Sequence, residues 1–235
     1  MTAPQERYTH GHHESVLRSH RWRTAENSAA YLLPHLRPGL DVLDVGCGPG
    51  TITLDIARLV APGRVVGIDA EGEVLRSAAT DATDAGLTNV VFEVGDAYAL
   101  AFDDGGFDVV HAHQVLQHLA DPVAALAEMR RVTKAGGVVA ARDMDLDSIV
   151  WYPDAPALDR WVALYGQVTR SNGGEPRAGR RLLAWAHAAG FADVTASASV
   201  WCYASPEERA WWGSLWADRV THSAFADQAL AAGLS

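Results

Sequence analysis

The chain has 235 residues, an apolar fraction of 49% and a formal net charge of −10, so it is long enough to bury the core of one large domain. It contains no block of five or more Lys or Arg, which argues against nucleic acid as the main partner and favours a small-molecule substrate. The first 20 residues contain no apolar signal-peptide core, and no apolar run approaches the roughly 18 residues of a membrane span, so we expect a cytoplasmic protein with no membrane partner. Cys47 and Cys202 have neither metal-binding spacing nor the density of a disulfide scaffold, and reduced thiols are expected. The sequence leaves the oligomeric state open.

The first segment with helical character is "SVLRSHRWRTAENSAAYLLPHL", which predicts a helix ending near Pro38-Gly39. Short β-branched runs then alternate with helix-like segments of roughly 10–20 residues. These runs are "DVLDV", "RVVGID", "NVVFEV", "FDVVHAH" and "GGVVAARD". The alternation predicts an α/β fold with a doubly wound, mostly parallel sheet and helices on both faces.

The clearest helix signal is "ADPVAALAEMRRVTKAGG". Asp121 can cap its N-terminus, Pro122 suits the first helical position, and Lys134 lies near the predicted end. Gly136 is expected to stop the helix.

The composition changes after about residue 150, because seven of the eight tryptophans lie between Trp151 and Trp216. The segments "APALDRWVALYGQVTR", "RAGRRLLAWAHAAG" and "PEERAWWGSLWADRV" predict helices, and "FADVTASASVWCYA" predicts a strand. We therefore expect an N-terminal helical cover or lid (1–38), a sheet core (39–145) and a helical elaboration with one or more late strands (146–235) that belongs to the same domain.

A glycine-rich loop follows the first strand, in "DVLDVGCGPGT". Gly46, Gly48 and Gly50 allow the backbone to turn tightly and to approach a ligand closely. Asp69 ends the next strand, 19 positions after Gly50, where a carboxylate can accept hydrogen bonds from both ribose hydroxyls. The combination indicates recognition of a nucleoside.

Three features distinguish this loop from other nucleotide loops. The nicotinamide dinucleotide fingerprint is G-x-G-x-x-G, and Thr51 occupies its sixth position here. Asp44, just before the first glycine, would repel a pyrophosphate but suits a ligand with an ammonium group, such as S-adenosylmethionine. No Gly-Lys-Ser/Thr follows, which excludes a Walker loop.

Four motifs in order resemble those of the class I S-adenosylmethionine-dependent methyltransferases, especially the ubiquinone/menaquinone-biosynthesis-type group of small-molecule enzymes. They are "VLDVGCGPG", "VVGIDAEGEVL", "VGDAYALAF" and "FDVVHAHQVLQHLADPVAALAEMRRVTKAGGVV", and the likeness covers about residues 15–145. The resemblance implies a Rossmann-like sheet of the seven-stranded type with N-terminal and late helical covers. It also implies S-adenosyl-L-methionine as cofactor.

The resemblance further implies roles for residues of the first two motifs. It assigns Asp44 to the methionine end of the cofactor, together with the loop backbone at Gly46, Cys47, Gly48 and Gly50. It assigns Asp69, with Ala70 beside it, to the ribose. Asp44 and Asp69 could instead cap helices.

Other cofactor contacts are implied on either side of these motifs. Asp96 would face the adenine amino group with the backbone of Ala97, and His113 would lie beside the sulfonium. In the cover, Arg23 is assigned to the cofactor carboxylate and Tyr8 to a lid contact. Asp96 could instead be a turn aspartate, and His113 could simply end a strand.

Methyl transfer from a sulfonium needs a general base only if the acceptor keeps its proton until late. The catalytic candidates are His113, His118 and Asp143, because ligands bind beyond the carboxyl ends of the strands in open α/β sheets. His12 and His13 are candidates only if the N-terminal segment folds back as a lid. Each could instead be a solvated or core-bonded side chain.

Two metal sites are possible alternatives, and neither is predicted. "DMDLDSIVWYPD" has calcium-loop spacing, but Ser148 replaces the required glycine and Asp154 the final glutamate. His111 and His113 could hold zinc or iron with a third ligand, yet alternate histidines ending a strand beside a cofactor pocket need no metal.

Aromatic side chains suggest the kind of acceptor. Trp151, Tyr152 and Trp185 could stack on a flat molecule and stabilise the cationic donor, although core packing is the alternative for most tryptophans. The sequence therefore predicts methyl transfer from S-adenosylmethionine to a small aromatic metabolite through a carbon, nitrogen or oxygen atom. The alternatives are a protein that uses the same ligand without methyl transfer and a nicotinamide-dependent oxidoreductase.

Overall fold

The computed structural model describes residue 9, residues 14–231 and residue 233. Its strands are β1 (Val42–Val45), β2 (Val65–Asp69), β3 (Val90–Val94), β4 (Phe107–His113) and β5 (Thr133–Arg142). Its helices are α1 (Glu14–Arg21), α2 (Ala25–Ser28), α3 (Thr51–Val60), α4 (Gly72–Asp84), α5 (Pro122–Val132), α6 (Pro156–Ser171), α7 (Ala178–Ala188), α8 (Pro206–His222) and α9 (Ala224–Ala231).

The strands form one sheet in the order β3-β2-β1-β4-β5, and each neighbouring pair is parallel. Its two faces are covered by separate apolar clusters. Val42 and Val65 belong to the cluster that includes Ile56 of α3, whereas Leu43 and Val66 belong to the cluster that includes Met129 of α5. Side chains alternate between the faces because successive residues of a strand point in opposite directions. The predicted α/β doubly wound fold is confirmed.

The helix predicted at 120–137 is shorter than expected. Its start is as predicted, since the Asp121 side chain accepts a hydrogen bond from the N–H of Ala124. Its end at Gly136 is wrong, because α5 ends at Val132 and β5 begins at Thr133, opposite Phe107. The pairing then shifts so that Val109 lies opposite Val138. The φ of +78° at Gly136 therefore serves this irregularity within a strand.

The prediction of one continuous N-terminal helix is also wrong. α1 ends at Arg21 and α2 begins at Ala25, followed by a 3-10 turn at Leu33–His35. Thr24 and Asn27 form a capping box, in which each side chain accepts a hydrogen bond from the other's backbone N–H. This reciprocal cap starts a new helix and prevents the first from continuing.

The late strand predicted at 191–204 is absent, and the described residues form five strands instead of a seven-stranded sheet. Most side chains from 192 to 200 are exposed, so their small Ala, Ser and Thr groups gain little by lining a sheet face. The segment is held by side chains instead: the Trp201 indole donates to the Asn27 carbonyl at 2.7 Å, and Ser199 accepts from Arg142.

The three predicted late helices are present as α6, α7 and α8, and α9 was not predicted. Phe225 of α9, Tyr165 of α6 and Leu146 share a third apolar cluster. In the described part of the chain, no helix is both long enough and apolar enough to cross a membrane.

Candidate functional site

The glycine loop between β1 and α3 requires glycine at three positions. Gly46, Gly48 and Gly50 have φ values of +68°, +54° and +79°, a region that side chains rarely adopt. A Cβ at Gly46 would collide with the Val115 side chain, and one at Gly50 would lie 2.9 Å from the Ala78 Cβ. The loop therefore packs closely against neighbouring side chains at Gly46 and Gly50, where residues with a Cβ would not fit.

Asp69 lies beside this loop at the carboxyl end of β2. One carboxylate oxygen accepts from the Gly48 N–H at 2.9 Å, and the other accepts from the Glu71 N–H at 3.1 Å. Each oxygen has further acceptor capacity, and the side chain is partly exposed, with exposed Ala70 next to it. Asp69 is thus oriented by the loop and remains accessible.

Asp96 follows β3 and is exposed. Its Oδ1 accepts from the Tyr98 N–H at 2.8 Å, as expected for the alternative of a turn aspartate. Ala97 packs against the core cluster on the α5 face. Because β1, β2 and β3 are parallel neighbours, the loop, Asp69 and Asp96 lie along one edge of the sheet.

Asp44 is buried beneath the loop and bound by other side chains. Its Oδ2 accepts from the Thr53 hydroxyl at 2.6 Å, and its Oδ1 lies 2.8 Å from Nδ1 of His111. His111 Nε2 in turn lies 2.9 Å from the Tyr31 hydroxyl. This pattern assigns the imidazole proton to Nδ1, with Tyr31 donating to Nε2. The negative charge of Asp44 lies under the loop, while both oxygens are engaged by this chain.

The metal alternatives receive no support from the described residues. Both ring nitrogens of His111 are engaged, and no group of three or more His, Cys, Asp or Glu side chains in the described ranges could hold an ion.

His113 ends β4 beside an arginine and an indole. Its Nε2 lies 3.3 Å from Arg142 Nη1, which can only donate, and its ring stacks on Trp201 with a centroid distance of 5.9 Å. Its Nδ1 is buried without a hydrogen-bond partner among the described residues. Burial, then the charge of Arg23, hold the pKa of His113 well below its ordinary value. His113 is therefore neutral with Nε2 occupied, which makes it a poor general base.

Arg23 reaches from the N-terminal cover to the end of β4. Its Nη2 donates to the Gln114 side-chain oxygen at 2.7 Å, and its guanidinium lies 5.6 Å from the Trp201 ring centroid. Gln114 has a φ of +57°, a left-handed conformation that is uncommon for a residue with a side chain. The sequence interpretation missed Gln114, although it follows the last residue of a strand whose end was already considered functional.

Asp143 follows β5 and has one unpaired carboxylate oxygen. Its Oδ1 accepts from the Gln117 N–H at 3.0 Å, while its Oδ2 is buried without a hydrogen-bond partner in the described part of the chain. Burial raises the pKa of Asp143 to about 7. Burial also lowers the pKa of His118 to about 4, so His118 is neutral at pH 7. Of the described candidates, Asp143 is the one that titrates near neutrality.

Of the predicted aromatic residues, Trp151 and Tyr152 line the cleft and Trp185 does not. Tyr152 is 96% exposed, and Trp185 packs against the core on the α5 face. A group that we call the Trp201 cluster instead joins three segments, with centroid distances of 5.5–5.9 Å between Trp22 and its neighbours. Its members are Trp22, Trp201, Tyr203 and Trp211.

An open cleft of about 3550 Å³ connects the glycine loop with the Trp201 cluster. This volume exceeds the roughly 300–1,000 Å³ of a typical small-molecule site, so it has room for a donor and an acceptor together. Arg23, His113 and Asp143 line the same cleft. Tyr8, His12 and His13 lie outside the described residues.

Comparisons with known proteins show which family the chain resembles. Residues 36–177 match the family model of a methyltransferase domain. An uncharacterized methyltransferase of Schizosaccharomyces pombe is 39% identical over 225 residues, covering 92% of this chain and 80% of that protein. The demethylmenaquinone methyltransferase of Lactococcus lactis is 35% identical over 118 residues, covering 50% of this chain and 47% of that protein. The solved structure of the YcgJ protein from Bacillus subtilis has a TM-score of 0.56 and 26% identity over 70% of this chain and 68% of that chain.

The similarity is uneven along the relatives, since the chain spans about half the length of the Lactococcus protein but four fifths of the fission yeast protein. The family model nevertheless matches more than half of this chain. The resemblance to the quinone-type group is supported, and the alternative of a nicotinamide-dependent oxidoreductase is not. The chain therefore belongs to the S-adenosylmethionine-dependent methyltransferases.

Proposed function

We propose that this chain transfers a methyl group from S-adenosylmethionine to a small aromatic metabolite in the cleft between the glycine loop and the Trp201 cluster. The observation that carries the proposal is a direct contact between the glycine loop and Asp69. Three glycines of the loop have positive φ, and the Asp69 carboxylate accepts a hydrogen bond from the Gly48 N–H. A Cβ at Gly46 would collide with the Val115 side chain, so the loop keeps this shape only with glycine there.

In this proposal, Asp69 and the neighbouring Ala70 bind the ribose, and Asp96 with the Ala97 backbone binds the adenine. The backbone of the glycine loop, from Gly46 through Cys47 to Gly50, faces the methionine part. Asp44 acts from below through its charge, because both its oxygens already have partners in this chain. Arg23 approaches from the cover, and residues 1–38 serve as the cover over the cofactor.

Bound S-adenosylmethionine would supply a methyl group activated by the sulfonium charge. The acceptor would take this methyl group with the S–C electron pair left on sulfur, and it would release a proton. We assign that proton to the unpaired Oδ2 of Asp143, because a base works best with a pKa near the operating pH.

An aromatic acceptor is supported by the rings that meet at the cleft. Indole faces favour flat ligands, and they also stabilise a nearby cation. The Lactococcus relative is named for a quinone precursor, which is one acceptor of this shape. The acceptor atom is left open among carbon, nitrogen and oxygen.

The direct test is a search for products that gain one methyl group, using cell extracts and S-adenosylmethionine labelled in its methyl group, analysed by mass spectrometry. A labelled aromatic product supports the proposal. Labelling of aliphatic products alone would contradict the aromatic acceptor. Tight cofactor binding with no labelled product would favour the alternative of a protein that uses this ligand without methyl transfer.

The donor assignment has its own test. Asp69→Ala should weaken binding of S-adenosylhomocysteine by roughly 10–100-fold, as expected for the loss of charged hydrogen bonds worth on the order of 1.5–3 kcal/mol. Asp84→Ala, an exposed change at the end of α4, is the matched control and should bind normally. Unchanged affinity of a folded Asp69→Ala variant would refute the ribose assignment.

A further inference from the structure

Arg142, the last residue of β5, is a partly buried cation whose hydrogen-bond and ring partners among the described residues are neutral. Its Nε donates to the Ser199 hydroxyl at 3.0 Å, and its Nη1 lies 3.3 Å from His113 Nε2. Its guanidinium lies over the Trp201 ring, 4.3 Å from the centroid. Within the described ranges, no carboxylate forms an ion pair with it. A guanidinium has five N–H donors, so Arg142 retains donors for a ligand.

The groups around Arg142 make its positive charge energetically unfavourable. Arg23 places a second guanidinium 5.6 Å from the centroid of the same indole. Asp143 is adjacent in sequence, but burial raises its pKa to about 7, so near neutral pH its carboxyl group is partly protonated and compensates Arg142 incompletely. Burial also lowers the pKa of Arg142, which is the mark of a cation held in a poorly solvated place.

The position of Arg142 relates it to the transferred methyl group. Arg142 touches His113, which the family resemblance implies to lie beside the sulfonium. Two cations would then face each other across the methyl group, an arrangement that is unfavourable until an anion lies between them. An anionic group on the acceptor removes this repulsion. The Trp201 cluster supplies a flat surface at the same point.

Resting on the proposed function, we propose that the methyl acceptor carries an anionic oxygen group on an aromatic ring and that Arg142 binds this group. Arg142 thereby determines which acceptors enter, while the ring lies against the Trp201 cluster. A neutral molecule of the same shape would leave the guanidinium unpaired in a partly desolvated site, and its binding would be weaker.

The test compares 2-naphthoate with 2-naphthamide, which share a ring system and differ in charge. Each is titrated by calorimetry into protein saturated with S-adenosylhomocysteine. We expect 2-naphthoate to bind roughly tenfold tighter or more, as for a charge-assisted hydrogen bond. Arg142→Gln should reduce this preference to within about twofold, whereas Arg142→Lys should keep part of it because the charge remains.

Arg58→Gln is the control, since Arg58 is exposed on α3 and paired with Asp55; it should keep the full preference. Thermal unfolding and S-adenosylhomocysteine affinity, measured first, establish that each variant is folded. Equal binding of both probes, no binding of 2-naphthoate to the saturated protein, or a preference that survives in Arg142→Gln would overturn the inference. Failure of wild-type protein to bind S-adenosylhomocysteine would instead contradict the proposed function, which the first titration reveals separately.

Discussion

The glycine-loop region and the aromatic region of the cleft are built in different ways. The loop joins β1 to α3, and its shape is fixed by backbone dihedral angles at Gly46, Gly48 and Gly50. The Trp201 cluster instead collects rings from three places: Trp22 after α1, Trp201 in a segment without strands, and Trp211 on α8. The first region depends on the sheet, whereas the second depends on side-chain contacts between distant segments. The aromatic region can therefore change without altering the sheet.

The largest effect is expected from a substitution that destabilises the late helices and tests whether the two regions are independent. Phe225 of α9 is 1% exposed and contacts Tyr165 of α6 at a centroid distance of 5.7 Å. Phe225→Ala should lower the free energy of unfolding by about 3–5 kcal/mol, through lost burial and a cavity. If the regions are independent, affinity for S-adenosylhomocysteine at low temperature should stay within about twofold of wild type. Urea unfolding and calorimetry measure the two quantities.

Leu230→Ala on the same helix is the matched control, because Leu230 is 70% exposed. Its stability should change by no more than about 0.5 kcal/mol. A large loss of cofactor affinity in folded Phe225→Ala would show that the helical region supports the loop after all.

The second prediction acts on the loop. Gly46→Ala places a Cβ against Val115 at a φ of +68°. The backbone strain and overpacking should lower the free energy of unfolding by on the order of 2–4 kcal/mol. Affinity for S-adenosylhomocysteine should fall by at least about tenfold. Gly86→Ala has the same φ of +68° but open space around its Cβ. It is therefore the control that measures the loss of stability from the φ angle alone, about 1–2 kcal/mol. Equal affinities of the two variants for S-adenosylhomocysteine would contradict a role for the loop shape at Gly46 in cofactor binding.

The third prediction concerns Asp143, which lies between the two regions. Its pKa is raised to about 7 in the folded chain, whereas an unfolded aspartate titrates near 3.9. Between these values the unfolded chain binds fewer protons, so wild type loses stability as pH rises from about 4 to 7. Asp143→Asn should lack this loss. Its free energy of unfolding relative to wild type should increase by about 2 kcal/mol over this range. This is half of the largest change that the pKa shift allows, because the residue is partly exposed.

Urea unfolding of both proteins at pH 4.5 and pH 8 measures this difference, with Asp84→Asn as an exposed control. Parallel pH profiles for wild type and Asp143→Asn would rule out the raised pKa. Methyl transfer by Asp143→Asn, once an acceptor is known, should be slowed by roughly 10²–10⁴-fold if the carboxylate is the base.

The smallest effect is expected at Tyr31, whose hydroxyl lies 2.9 Å from His111 Nε2. Tyr31→Phe should lower stability by about 1 kcal/mol, the net worth of one buried hydrogen bond. The His111 ring signals in NMR spectra should shift as well, since the hydroxyl holds its tautomer. An unshifted spectrum would be inconsistent with the bond.

The sequence was sufficient for the parts of the molecule that depend on local pattern. The five β-branched runs became the five strands, and the spacing of the loop glycines and Asp69 indicated the cofactor. It failed where distant residues decide the outcome. The shortened α5 depends on the pairing of Thr133 with Phe107, and the segment predicted as the late strand instead contacts Asn27 through Trp201. The partners of Asp44 were equally hidden, because His111 is 67 positions away and acts only through the sheet register.

The chain of contacts from Tyr31 through His111 to Asp44 has a consequence for how such proteins can diverge. It joins a residue of the N-terminal cover to one under the glycine loop, and the middle member is fully buried. A change at one position alone leaves a buried polar group unpaired, so substitutions at the three positions should be inherited together. Related chains that replace His111 with an apolar residue should then also lack the tyrosine hydroxyl, and covariation would reveal which relatives dock the cover in the same way.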